Sequence, residues 1–218
     1  MKDLRELNLQ LTKEALKEKI SRDILIIQSI HTIDEIILII NKLVALLRER
    51  YGYYAPKIAR SEDVNLILKS VLNRTREDMS INLTDYDLSS IEELAREIDS
   101  LNNLRISQES YLESLMKEQC QNLLDIAGSL IGARLIDHAG SLKHIAELPS
   151  STVQVLGAEK ALFRHLKTGA KAPKFGVIFA HQNIQKAINK GKAARHLANE
   201  ISKAVRIDYF SKQIKTTM

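Results

Sequence analysis

Seven apolar residues, Ile26, Ile30, Ile33, Ile37, Ile40, Val44 and Leu47, alternate at spacings of four and three. That is the a/d seam of a heptad helix, and it persists for three heptads. At ~1.5 Å per residue the seam spans roughly 30 Å. The fold must therefore cover a straight apolar edge of that length. Leu25, Ile36, Leu43 and Leu46 widen the stripe, which predicts contact with more than one neighbour. Tyr51-Gly52-Tyr53-Tyr54-Ala55-Pro56 ends the helix, with Gly52 as a C-cap and Pro56 disfavouring helix at the residue before it.

A second seam follows. Ser89 with Glu92, or Ser90 with Glu93, has capping-box spacing. Behind it run Ile91, Leu94, Ile98 and Leu101. The pattern weakens at Arg105 and Gln108 and resumes at Leu112 and Leu115. Two long seams joined by shorter helical pieces around Val64–Leu72 predict an antiparallel helical hairpin with its tip at about 51–88. The seam could close within one molecule or between two copies, and spacing does not separate these. Ahead of it, residues 1–21 read as an amphipathic helix carrying Leu4, Leu7, Leu11, Ala15 and Ile20.

From residue 119 the segments shorten. Leu123 to Arg134 reads as one helix with Gly128, Gly132 and Ala133 at close-packing positions. Ser151 can cap the helix after Pro149, with Gln154 reaching back. Only 3 prolines and 8 glycines in 218 residues, with 44% apolar residues, favour an all-α fold with a real core. The single cysteine, Cys120, makes no internal disulfide, which suits an intracellular, cytoplasmic chain. The longest apolar run is Ile36 to Ile40, too short for a membrane span, and the N-terminus lacks an apolar signal core.

Charge divides the chain. Residues 1–150 hold 19 Lys/Arg against 24 Asp/Glu, whereas residues 151–218 hold 13 against 3. A compact segment this basic points to a polyanionic partner. Within it, Lys160, Arg164, Lys167 and Lys171 follow helical spacing, with Ala161, Leu162 and Leu166 left for packing, and Lys174 follows in a flexible basic loop. A second row holds Lys192, Arg195, Asn199, Lys203 and Arg206, opposite Ala194, Leu197, Ala198, Ile201 and Val205. Each lysine or arginine at a phosphate releases counterions, and arginine adds bidentate hydrogen bonds. Phe163, Phe175, Phe179, Tyr209 and Phe210 read mostly as core, so shape and backbone reading of structured RNA is expected over base stacking.

Catalytic patterns are missing. There is no dinucleotide fingerprint, phosphate loop or nucleophile elbow. Neither His138 with His144 nor His165 with His181 has metal-ligand spacing. Asp137-His138 and Asp125 read as structural groups. The chain is expected to be no enzyme, with no cofactor and no metal.

Four blocks in one order resemble the Nop-domain family: Ile131 to Leu142, Leu148 to Arg164, Pro173 to Phe179 and Arg206 to Ser211. Arg50 to Pro56 is similar to the turn ending that family's first coiled-coil helix, so the resemblance covers about residues 20–213. It implies a long antiparallel coiled-coil hairpin (1–118) followed by a compact helical Nop domain (119–214). It also implies that Phe175 to Ala180, a strand by propensity, is helix or loop. The family's archaeal and nucleolar members scaffold box C/D ribonucleoproteins. The implied function is a non-catalytic scaffold that binds a kink-turn RNA together with a ribosomal-type kink-turn-binding protein. By resemblance, Gly157, Ala158 and Glu159 dock the partner protein, while Gln154, Lys160 and Arg164 bind RNA. Charge adds Lys167, Lys171, Lys174, Arg195, Lys203 and Arg206 to the RNA set. A homodimer through the coil is implied for guide-RNA members. Those members carry an N-terminal fibrillarin-binding domain that some twenty residues ahead of the first coil cannot hold, which makes fibrillarin recruitment doubtful. The alternative is a coiled-coil adaptor whose basic face docks an acidic protein.

Overall fold

Every regular element among the described residues of the computed structural model is helical; backbone is described for residues 2–19 and 22–216, side chains for 4–15 and 22–211. Helix α1 runs Lys2–Lys19, α2 Arg22–Tyr51, α3 Pro56–Ala59, α4 Val64–Leu72 and α5 Asp85–Gln119. Then come α6 Gln121–Ala127, α7 Ser129–Ala139, α8 Leu142–Glu147, α9 Ser150–Val155 and α10 Glu159–Thr168. A 3-10 turn at Val177–Ala180 precedes α11 Gln182–Gln185 and α12 Lys190–Thr216. The turn falls where strand propensity was highest, in line with the family-implied helix or loop. Leu4, Leu7 and Leu11 on α1 are exposed, and Ile20 lies outside the described residues. No described helix is long and apolar enough to cross a membrane.

The chain forms two compact units, and their boundary falls inside α2 and α5. In the unit His31–Gln108, the end of α2, α4 and the start of α5 share one core: Val44, Leu47, Tyr51, Ile67, Leu68, Val71, Leu88, Ile91, Ala95 and Ile98. This is the hairpin that the two seams predicted. Along α2 the first-named seam residues are buried except Ile37 and Ile40, which are half-buried beside a buried Ile36. Leu46, expected to widen the stripe inward, is 52% exposed. The Tyr51 hydroxyl lies 2.9 Å from Ser70 O and 2.7 Å from Thr75 O. Burial, helped by Tyr54 and Glu77, pushes its pKa up to about 12.

Two helix ends differ from expectation. Helix α5 starts a turn before Ser89. Thr84 and Asp87 cap it reciprocally: the Asp87 carboxylate accepts the Thr84 N–H at 3.0 Å, and the Asp87 N–H donates to Thr84 Oγ1 at 3.2 Å. The same spacing rule applies, satisfied by an earlier pair. Ser89 instead donates back to Asp85 O at 2.8 Å, as serine inside a helix does. Gly52 is not left-handed. Its value is close approach, since a Cβ there would lie 2.9 Å from Arg48 O.

The other unit joins the start of α2, the end of α5 and residues 119–218. Gly128, with φ +77°, splits the expected single helix into α6 and α7. Gly132 does permit close packing: a Cβ there would come within 2.6 Å of Met116 Cε and 3.3 Å of Leu123 Cγ. Helix α12 packs on α6, α8, α9, α11 and the 3-10 turn. It does so through buried Ala194, Leu197, Ala198, Ile201, Ala204 and Val205, the face its sequence predicted. Buried Asp208 fixes the register of α12. Its carboxylate accepts the backbone N–H groups of Asn122 at 3.2 Å and Leu123 at 2.9 Å, and the Asn122 side chain at 2.7 Å. A carboxylate at a helix N-terminus satisfies donors that otherwise have no partner.

Candidate nucleic-acid interface

Helix α9 ends in a clamp. The Gly176 N–H donates to Gln154 O at 2.9 Å, and the Val177 N–H to Leu156 O at 2.8 Å. The Gln154 side chain donates to Lys174 O at 2.6 Å. Three hydrogen bonds thus lay residues 174–177 along the end of α9. The expected Ser151 cap is absent; Pro149 takes the N-cap position and no side-chain bond is made there. Gln154, freed from capping, closes the loop instead. Gly176 is required by contact, because a Cβ there would sit 1.9 Å from Leu156 O.

Gly157, at φ +87°, turns the chain from α9 into α10. Its N–H donates to Glu159 Oε1 at 2.7 Å, and His138 Nδ1 lies 3.6 Å from the same oxygen. Burial alone would raise the Glu159 pKa. Its own N–H, that of Gly157 and the nearby His138 outweigh this and hold it below the ordinary range. Gly157, Ala158 and Glu159 therefore form a self-capped turn that sets where α10 begins.

Helix α10 buries none of its 10 residues. Lys160, Arg164 and Lys167 are exposed along one side. Phe163 is 60% exposed and Leu166 70%. The expectation that Leu166 packs inward fails: Ala161 and Leu162 are partly covered, and Leu166 points away from the core. At ~100° per residue Phe163 lies about 60° from Lys160, so an aromatic ring borders the cation row. Gly169, at φ +68°, ends the helix with its N–H on His165 O at 2.9 Å. The His165 ring meets Ala170 O. Lys171 and Lys174 follow, both exposed.

The loop brings Lys174 to the start of α12, the helix that carries the second row. A Cβ on Gly191, in the first turn of α12, would lie 4.0 Å from Lys174 Cδ. Farther along α12, Lys192, Arg195, Asn199 and Lys203 are exposed opposite the buried face. Among the described residues no carboxylate lies within ion-pair distance of Lys160, Arg164, Lys167, Lys171, Lys174, Arg195 or Lys203. Arg206 stands apart. Its Nε donates to Ala146 O at 3.1 Å and its Nη2 lies 3.5 Å from Leu148 O, so it serves the end of α8.

The aromatic expectation also fails. None of Phe163, Phe175, Phe179, Tyr209 and Phe210 is fully buried, because aliphatic residues and alanine fill this core. Phe175 and Phe179 stack at 4.4 Å and 9°, with Lys190 Nζ 5.3 Å from the Phe179 centroid. Phe210 is 50% exposed. Sequence reading missed Phe163, Leu166 and Phe210 as surface features. The available signal was their helical phase, adjacent to lysines rather than opposite them.

Comparison with known proteins follows the same residues. The Nop family model, described as snoRNA binding domain, fibrillarin, matches residues 42–218. Nucleolar protein 56 of Mus musculus is 38% identical over 222 residues, covering 87% of this chain and 38% of that protein. An uncharacterized NOP5 family protein of Methanocaldococcus jannaschii is 37% identical over 230 residues, covering 92% and 56%. The chain thus spans between about two fifths and three fifths of these relatives. A crystal structure of a fibrillarin/Nop5p complex is similar in fold, with TM-score 0.56 and 24% identity over 96% of this chain and 70% of that one.

Proposed function

The chain belongs to the Nop family, and on that premise we propose that it is a non-catalytic ribonucleoprotein scaffold of the box C/D type. The surface that does the binding is α10 with the loop behind it. Lys160, Arg164, Lys167, Lys171 and Lys174 contact phosphates of a kink-turn RNA, and Arg195 and Lys203 extend the basic surface. Phe163 and Leu166 meet a kink-turn-binding protein already on that RNA, beside the turn of Gly157, Ala158 and Glu159.

One observation carries this reading: no residue of α10 is fully buried, and the helix presents unpaired cations beside exposed apolar groups. A helix that covers only Ala161, Leu162 and His165, and those in part, while leaving Phe163 and Leu166 outward among its cations suits a composite partner, part polyanion and part protein. Cations on α10 supply the salt-dependent electrostatic contribution, and the apolar pair supplies a protein contact.

The test is a gel shift with a kink-turn RNA, with and without a kink-turn-binding protein. Binding is expected to be strongest when both are present. Lys160→Glu or Arg164→Glu should abolish the ternary complex while the circular dichroism melt stays unchanged. Binding by neither mixture, or a mutant that binds like the parent, overturns the reading. Saturation by an acidic protein irrespective of RNA structure would favour an adaptor instead.

A further inference from the structure

Within the unit His31–Gln108, the loop after α4 folds over the α2–α3 turn and leaves a cleft of about 810 Å³. Its wall is fixed at several points. The Ile81 N–H donates to Tyr53 O at 2.9 Å. Arg76 Nε donates to Ser80 Oγ at 2.5 Å, and its Nη2 to Asn82 Oδ1 at 2.7 Å. The Glu77 carboxylate accepts the backbone N–H groups of Ile58 at 2.9 Å and Lys57 at 3.1 Å, closing the start of α3. A surface already held in shape costs little ordering when something binds to it.

The lining is apolar and open. Tyr53 is 57% exposed, Met79 86% and Ile81 58%. Clustered exposure of large apolar residues at a concave site marks an interaction surface. The rim is basic, with Lys57, Arg60 and Arg76 against Glu77 and Asp78. Glu77 is committed to the α3 amides, and no described carboxylate pairs with Lys57 or Arg60. The lining thus carries three cations against two carboxylates, with Lys57 and Arg60 free to pair and Tyr53, Met79 and Ile81 as its exposed apolar groups. Nucleic acid fits it poorly: bases stack on aromatic faces, and here Met79 and Ile81 line the cleft beside a single tyrosine.

We propose that this cleft docks an extended acidic segment of a partner protein, with one aliphatic or aromatic side chain seated against Tyr53, Met79 and Ile81 and flanking carboxylates on Lys57 and Arg60. This goes beyond the RNA-scaffold reading and uses none of its residues.

The test pans a displayed library of peptides of about nine residues, a length that spans such a groove, against the full chain. Enriched peptides are then measured by fluorescence anisotropy. The expected consensus is an apolar anchor between Asp or Glu residues. Lys57→Glu with Arg60→Glu should weaken binding about tenfold or more. Met79→Ser with Ile81→Asp should remove it, with melting unchanged in both variants. The proposal falls if no consensus emerges or if enriched peptides lack acids. It also falls if both double variants bind normally, or if a uridine decamer displaces the peptide at equal concentration. Light scattering that shows a dimer lost on Tyr53→Ser would assign the cleft to a second copy and overturn it as well.

Discussion

Replacing Gly176 by alanine should open the clamp that holds the basic loop, and the structure sets the size of the effect. The new Cβ would lie 1.9 Å from Leu156 O, 2.7 Å from Leu156 C and 2.8 Å from Val155 C. All three are backbone atoms, so no rotamer change relieves the contact. The segment must move away, and it then loses the bonds from Gly176 to Gln154 O and from Val177 to Leu156 O. The Gln154 bond to Lys174 O goes with them. At ~1 kcal/mol net per hydrogen bond the loss is about 3 kcal/mol. Gly169→Ala makes the contrast. Its φ is +68° but nothing lies within 4 Å of a Cβ, so only backbone strain of about 1 kcal/mol applies. Urea denaturation gives both stabilities, and hydrogen exchange at the Val177 amide reports the loop. Gly176→Ala should cost about three times as much as Gly169→Ala and should release the Val177 amide. If Gly176→Ala stays within about 0.5 kcal/mol of the parent and Val177 remains protected, the clamp is not what holds the loop.

Asp208→Ala should destabilise its unit by about 3 kcal/mol, because three donors at the start of α6 lose a buried carboxylate; a thermal melt shifted by less than a degree or two would deny Asp208 that role. Glu159 has a lowered folded-state pKa, so its contribution is present above the ordinary glutamate value and is lost as pH falls through the lower folded one. Urea titrations from about pH 6 to about pH 3 should show that loss in the parent and a smaller one in Glu159→Gln; equal curves would contradict it. Phe163→Ser with Leu166→Ser should leave stability within about 0.5 kcal/mol, since both are exposed, and should weaken only the complex containing the kink-turn-binding protein. A drop in stability, or equal loss on naked RNA, would refute that assignment.

Periodicity made the long elements legible and left the short ones obscure. The seams from Ile26 to Leu47 and from Ile91 to Leu115 foretold α2, α5 and a helical hairpin, since a buried face repeats along a helix. Ala194 to Val205 foretold the buried face of α12 for the same reason. The α10 faces were misread because periodicity says that a face is apolar, not that the fold covers it. Leu166 and Phe163 have helical phase, yet the fold leaves them 70% and 60% exposed. The contacts of Gln154 and Arg206 were illegible for a different cause. Their partners, Lys174 O, Ala146 O and Leu148 O, are backbone carbonyls 20 to 60 residues away, and a carbonyl leaves no trace in side-chain pattern. Thr84 was missed because two later serines offered the same capping spacing, and only packing of Leu88 and Ile91 selects the frame.

A helix of 10 residues is marginal when little packs against it, and in α10 only Ala161, Leu162 and His165 are even partly covered. Contacts at its two ends add to that partial cover. At one end Glu159 takes the Gly157 N–H beside His138; at the other, Gly169 caps the last turn while the 174–177 segment is clamped to α9. With the ends fixed and one side partly covered, Lys160, Phe163, Arg164, Leu166 and Lys167 stay exposed. Arg206 differs from Arg195 and Lys203 on the same row, because its guanidinium ties α12 to the end of α8.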